Sequence, residues 1–129
     1  MKADFQKCNV PADEWCMYHC IVAARNPVLW RRDHNTQGWP LTKEIANKDA
    51  ENAKEVYDWL LAHYEDSGDM TSVSRLRKAG RDGYPTDKDL YALSRYVTGQ
   101  IALYSEIDNT WAAIGTGPLR LYITHSYQQ

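Results

Sequence analysis

Phenylalanine is nearly absent from this chain, at one residue in 129. No apolar run approaches 18 residues, so nothing reads as a membrane-spanning helix. The stretch from Met1 to Val10 lacks the apolar core of a secretory signal. An excess of one charge is also missing, since 15 basic and 17 acidic residues leave a net charge of -2. Nucleic-acid binders normally carry a basic surplus to neutralise phosphates, so that class is set aside. The one local basic group, Arg75, Arg77, Lys78 and Arg81, reads as a solvated helix face. Cysteine is scarce, with three residues, all among the first 20. An odd count with Cys16 and Cys20 only four apart is no disulfide framework. The expectation is a cytoplasmic, reducing setting with thiols available for burial or chemistry.

What is present is ordinary for a globular domain: 43% hydrophobic and 25% charged residues. Disorder, collagen and coiled coil are thereby excluded. The length fits one domain, expected over residues 1–129, and nothing in the sequence specifies an oligomer, so a monomer is expected. Nine tyrosines and five tryptophans replace the missing phenylalanine. Each joins apolar area to a polar tip, which suits half-buried surfaces and grooves.

Pro11 blocks an early helix start. The apolar stretch Cys16 to Ala24 fits a buried strand or a buried helix; its Ala and Met favour a helix with Cys16 in the first turn and Asp13 at its cap. Residues 26–40 hold Asn26, Pro27, Asn35, Gly38 and Pro40, and read as a loop or short helical turns. Thr42–Lys48 reads as helical. Asp49–Tyr64 is the strongest helix, with Ala53, Val56, Tyr57, Leu60, Leu61 and Tyr64 at three- and four-residue steps and Gly68 as its stop. Thr71–Ala79 is expected as a further helix. Asp87–Val97 is another, with Thr86 at its N-cap, Asp89 at N3, and Leu90, Leu93 and Val97 inward. The pattern then changes to short apolar runs at Ile101–Tyr104, Trp111–Ile114 and Leu119–Ile123. Helices first and strands last predict an α+β fold, with helices packed on a small, mostly antiparallel sheet, the sheet against the helix of Cys16.

Thiols are the side chains most easily activated as nucleophiles, and a helix N-terminus favours the thiolate. Cys16 is therefore the best-placed candidate; the bland alternative is a small buried hydrophobe. A base must come from elsewhere. His19 is too near on the same helix, His34 lies in a loop, and His63 is on the surface side of a helix. His125 follows directly on a strand and is the remaining candidate. Cys16, His19 and Cys20 share a helix face, but structural zinc sites use two short ligand pairs, so no metal and no cofactor is expected.

Four blocks in order carry a resemblance: Pro11-Ala12-Asp13-Glu14-Trp15-Cys16-Met17-Tyr18-His19-Cys20-Ile21; Gly83-Tyr84-Pro85 running into Thr86–Ser94; Ile101-Ala102-Leu103-Tyr104; and Leu119-Arg120-Leu121-Tyr122-Ile123-Thr124-His125. Together they resemble the ovarian tumour (OTU) family of cysteine proteases, in its compact viral or bacterial-effector form. The resemblance implies a papain-like fold and a thiol isopeptidase cleaving the tail of ubiquitin or a ubiquitin-like protein. It makes Cys16 the nucleophile and His125 the general base. Asp13, Glu14 and Trp15 would form the oxyanion-hole loop, with Asp13 holding its shape. Trp15, Tyr84, Trp111 and Tyr127 are assigned to the walls of the substrate groove. Two positions depart from the family pattern. Glu14 replaces a glycine, and Tyr127 stands where an imidazole-orienting Asp or Asn is common. These departures keep two alternatives open: a protease acting on its own polyprotein, and a catalytically degenerate binding module.

Overall fold

The computed structural model describes residues 9–10, 15–78, 86–105, 110–115 and 119–125. For 100, 102–105, 110–112 and 119–125 it describes the backbone alone. The chain divides into two compact units, Met1–Ala62 and His63–Gln129.

In the first unit, α1 (Cys16–Arg25) starts at the expected residue and buries Met17, Tyr18, Ile21 and Ala23. The segment read as a loop contains α2 (Pro27–Asp33). Its start follows helix-capping chemistry: Pro27 is pre-set for the first helical position, and the Asn26 side chain accepts from the Leu29 N–H at 3.3 Å. The two segments read as separate helices are one continuous element, α3 (Lys43–Ser67). Thr42 accepts the Ile45 N–H at 3.1 Å, and no breaker follows for 25 residues, so the helix runs about 37 Å. Within the first unit its apolar stripe buries Ala53, Val56 and Leu60. Each buried side chain of the Val or Leu size contributes roughly 1.5–3 kcal/mol. The stop is the expected one: Gly68 at φ +78° donates back to the Glu65 carbonyl.

In the second unit, α4 (Met70–Leu76) is capped by Asp69, whose carboxylate accepts from the Ser72 N–H and hydroxyl at 3.2 and 2.8 Å. Lys88 also pairs with it. The Lys88 ammonium foremost, and then the Ser72 donors, hold the Asp69 carboxyl down at about 2. A lowered carboxyl stabilises the fold above its ordinary value and loses that effect as pH falls through the folded one. The melting temperature of the native chain should therefore drop relative to Asp69→Asn between about pH 4 and pH 2. Parallel melting curves for the two proteins over that window would refute the assignment.

α5 (Asp87–Val97) has the expected capping box of Thr86 and Asp89, and it packs on β1 (Gly99–Ser105). Its Leu90 and Leu93, with Ile101 of β1, form a fully buried core. β2 (Thr110–Ile114) pairs antiparallel with β1, whereas β3 (Leu119–His125) pairs parallel with β1 on its other side. The order is β2-β1-β3.

The expected α+β, papain-like arrangement on a mostly antiparallel sheet is thus overturned. Five helices hold most of the described residues, and the sheet is small and mixed, with its longer ladder parallel. The physical reason lies at Gly115. Two strands joined by a short link ordinarily form a hairpin, which would place β3 against β2. Gly115 instead has φ +80° and passes close to Gly99, at the start of β1, and to Ser94 of α5. A Cβ there would stand 2.2 Å from Ser94 Oγ and 3.2 Å from the Gly99 carbonyl oxygen. Only glycine fits at this positive φ so near Ser94 and the first residue of β1.

Candidate functional site

Cys16 is the first residue of α1 and is half-buried, as is Cys20 one turn on. No acidic residue occupies the first turn of this helix. The opening N–H groups of a helix have no intrahelical acceptor and, with the aligned peptide dipoles, favour a negative charge beside them. Cys16 therefore stands at the electropositive end of α1.

Trp15 precedes it at the N-cap, and its carbonyl accepts the His19 N–H at 2.9 Å. The indole packs against Tyr57 edge-on, with centroids 5.2 Å apart, and against Tyr18 at 5.3 Å. The Trp15 and Tyr57 rings form one side of a cavity of about 480 Å³. Trp39 and Pro40 form another, and one stripe of α3, Ala46, Asp49, Ala50, Ala53, Lys54 and Tyr57, forms its length. His19 also lines it. Trp15 and His19 are one helical turn apart, and Cys16 lies about 60° around the helix from His19. The thiol thus borders the cavity face without lining it.

The loop that carries Trp39 is held from below. Asn35 Oδ1 accepts the Gln37 and Trp39 N–H groups at 2.9 and 3.0 Å. Gly38 has φ +91° and lies against Asn9, where a Cβ would stand 2.3 Å from the backbone oxygen. That same Asn9 oxygen accepts the Trp30 indole N–H at 2.9 Å. Beneath the loop, His34 is buried with both ring nitrogens engaged. Nδ1 is 2.7 Å from the Trp30 carbonyl and Nε2 is 2.6 Å from Asp49 Oδ2. The Trp30 carbonyl can only accept, so Nδ1 donates to it, and Nε2 faces the carboxylate. The Trp30 ring stacks on the imidazole at 3.6 Å, 9° from parallel. His34 lies outside the helices as expected, but it is buried. With neither nitrogen available to take a proton from a nucleophile, it serves as structure.

The structure places the expected site residues unevenly. Cys16 and Trp15 stand together at the start of α1, in the first unit. His125 ends β3 in the second unit, its backbone opposite Ser105, and its side chain lies outside the described residues. The same holds for the Trp111 side chain, although its backbone pairs with Tyr104 in β2. Asp13, Glu14, Tyr84 and Tyr127 lie wholly outside the described residues. The basic group is not simply a solvated face: Arg75 bonds the fully buried Asp89 at 2.6 Å and Arg77 lies 3.6 Å from Glu65, while Arg81 lies outside the described residues. Sequence reasoning missed the His34–Asp49–Trp30 unit. The one signal in the chain was Trp30 and His34 at helical i, i+4 spacing; nothing local pointed to Asp49.

Among the described residues no group of three or more His, Cys, Asp or Glu could hold a metal ion. No described helix is long and apolar enough to cross a membrane. No family model, no curated protein and no solved structure matches this chain.

Proposed function

We propose that the chain is a thiol hydrolase that cleaves the C-terminal tail of ubiquitin or of a ubiquitin-like protein. The observation that carries this reading is Cys16, half-exposed at the first residue of α1 with no acid in that turn. Support also comes from the four-block resemblance to OTU proteases. Cys16 gives its thiol proton to His125 and attacks the carbonyl carbon of the tail's last residue. The peptide N–H groups of the loop Asp13 to Trp15 and of Cys16 itself receive the oxyanion. The C–N bond breaks, the amine leaves with the proton from His125, and an acyl-thioester remains. Water then gives a proton to His125, adds to the thioester and releases the acid, and the thiol regains its proton.

The test is incubation with ubiquitin bearing an electrophilic C-terminal warhead, read by intact mass. One adduct is expected on Cys16, with none on Cys16→Ala. A folded protein that forms no adduct, or that reacts equally at Cys20, sinks the reading. A second reading, a binding module without turnover, is favoured by the apolar cavity whose two charged wall residues are both already paired. It predicts no adduct but retained binding of a polypeptide.

A further inference from the structure

We propose that the cavity walled by Trp15, Trp39, Tyr57 and the Ala50–Ala53 stretch of α3 receives one neutral, apolar side chain of an extended polypeptide bound alongside Cys16. The proposal rests on the hydrolase reading in one respect, that the polypeptide held there is the substrate.

The volume, about 480 Å³, is that of a ligand site, larger than one side chain and with room for flanking backbone. Its walls are aromatic rings and alanine methyls. Charge decides what enters. Asp49, on the α3 wall, is bound to His34 at 2.6 Å, and Lys54, at the rim, is bound to Asp58 at 2.9 Å. Each of the two therefore has a hydrogen-bonding partner already. A cationic or anionic guest would shed its hydration without gaining a partner, whereas an aliphatic or aromatic one gains by leaving water. The mouth is open to a chain. Trp39 is 50% exposed and Trp15 36%, so both rings are open to solvent where a guest would meet them. Trp15 is joined to Cys16 by one peptide bond, which sets their Cα atoms about 3.8 Å apart. A side chain seated against Trp15 would thus lie on the residue next to Cys16 in the chain.

The experiment uses the full chain carrying Cys16→Ala, which cannot turn over a substrate. Capped leucine, lysine and aspartate methylamides are the probes, and the indole N–H signals of Trp15 and Trp39 and the amides of Ala50 and Ala53 are the readout in nitrogen-edited spectra. The leucine probe should bind about ten-fold more tightly than either charged one. A capped Gly-Leu-Gly should bind more tightly than the single capped leucine. Ala50 is solvent-exposed on α3, so Ala50→Leu keeps the fold while filling the space, and it should weaken the leucine probe about ten-fold. Equal binding of the three capped residues, or no effect of Ala50→Leu, overturns the proposal. A leucine preference with no gain from Gly-Leu-Gly also overturns it, in favour of a site for a free apolar small molecule. The warhead experiment separates the two readings. Capture without leucine preference removes the pocket and leaves the hydrolase. Leucine preference and tripeptide gain without capture keep the pocket and remove the hydrolase.

Discussion

Replacing Asp89 by alanine lowers the unfolding free energy by about 3–5 kcal/mol, the cost of breaking a buried charge pair by removing one partner. Asp89 is fully buried and its two oxygens carry the local architecture of the second unit. Oδ1 accepts the Tyr64 hydroxyl at 2.5 Å and the Arg75 guanidinium at 2.6 Å. Oδ2 accepts the Thr86 N–H at 2.8 Å, closing the start of α5. Alanine removes all of these acceptors at once. It leaves the buried Tyr64 hydroxyl without that acceptor and the half-buried Arg75 without its carboxylate. Burial, and then the bond to Asp89, push the Tyr64 phenol upward, so it stays a donor at any ordinary pH. Asp89→Asn keeps an oxygen for Tyr64 and Arg75 but loses the charge, and falls between the two. The check is urea denaturation of the three proteins at neutral pH. A loss below about 1 kcal/mol for alanine, the size of a surface pair, would show that the network adds nothing beyond its exposed members.

The second large effect is at His34 and Asp49. His34→Ala leaves a buried carboxylate on the cavity wall without its partner, and Asp49→Ala leaves a buried imidazole nitrogen without its partner. Each single change is expected to cost about 3–5 kcal/mol. The paired change to His34→Phe with Asp49→Leu keeps a ring to stack on Trp30 and removes both polar groups. It should therefore cost much less than His34→Phe and Asp49→Leu made singly and summed, by at least roughly 1.5 kcal/mol of coupling. Additive losses would mean that the 2.6 Å contact carries no specific energy. The paired variant also reports on the cavity, since Asp49 is one of its walls.

These two networks mark where the sequence could and could not be read. Local chemistry was legible. The start of α1 at Cys16, the Thr86–Asp89 box of α5, the stop at Gly68 and three strand-length runs all depend on residues within a few positions of one another. The helix α2 was under-read because Pro27 and Asn35 look like loop formers, yet Pro27 sits where a helix tolerates it. α3 was divided because its first turns lack the apolar stripe that marks the rest. Non-local partners were illegible. Asp89 was seen as a capping residue but not as the acceptor for Tyr64, 25 positions earlier. Periodicity reveals a strand and the face it buries, but tertiary packing selects its neighbour, and so the parallel pairing of β3 escaped. At the candidate site, Cys16 was legible from helix position, whereas the cavity beside it is assembled from α1, a loop and α3 and has no linear signature.

The sheet carries an order of assembly. β1 and β2 partners are close along the chain, from Ser105↔Thr110 out to Ile101↔Ile114. Every β1–β3 partner is 20 positions away, from Gly99↔Leu119 to Ser105↔His125. The shorter loop is the cheaper one to close, which favours the β1–β2 pairing as the first to form. The sheet thus grows outward from a two-stranded ribbon, and β3 joins an edge that has been waiting for it. β2 ends just before Gly115, whose left-handed φ and close approach to Ser94 and Gly99 leave no room for a side chain.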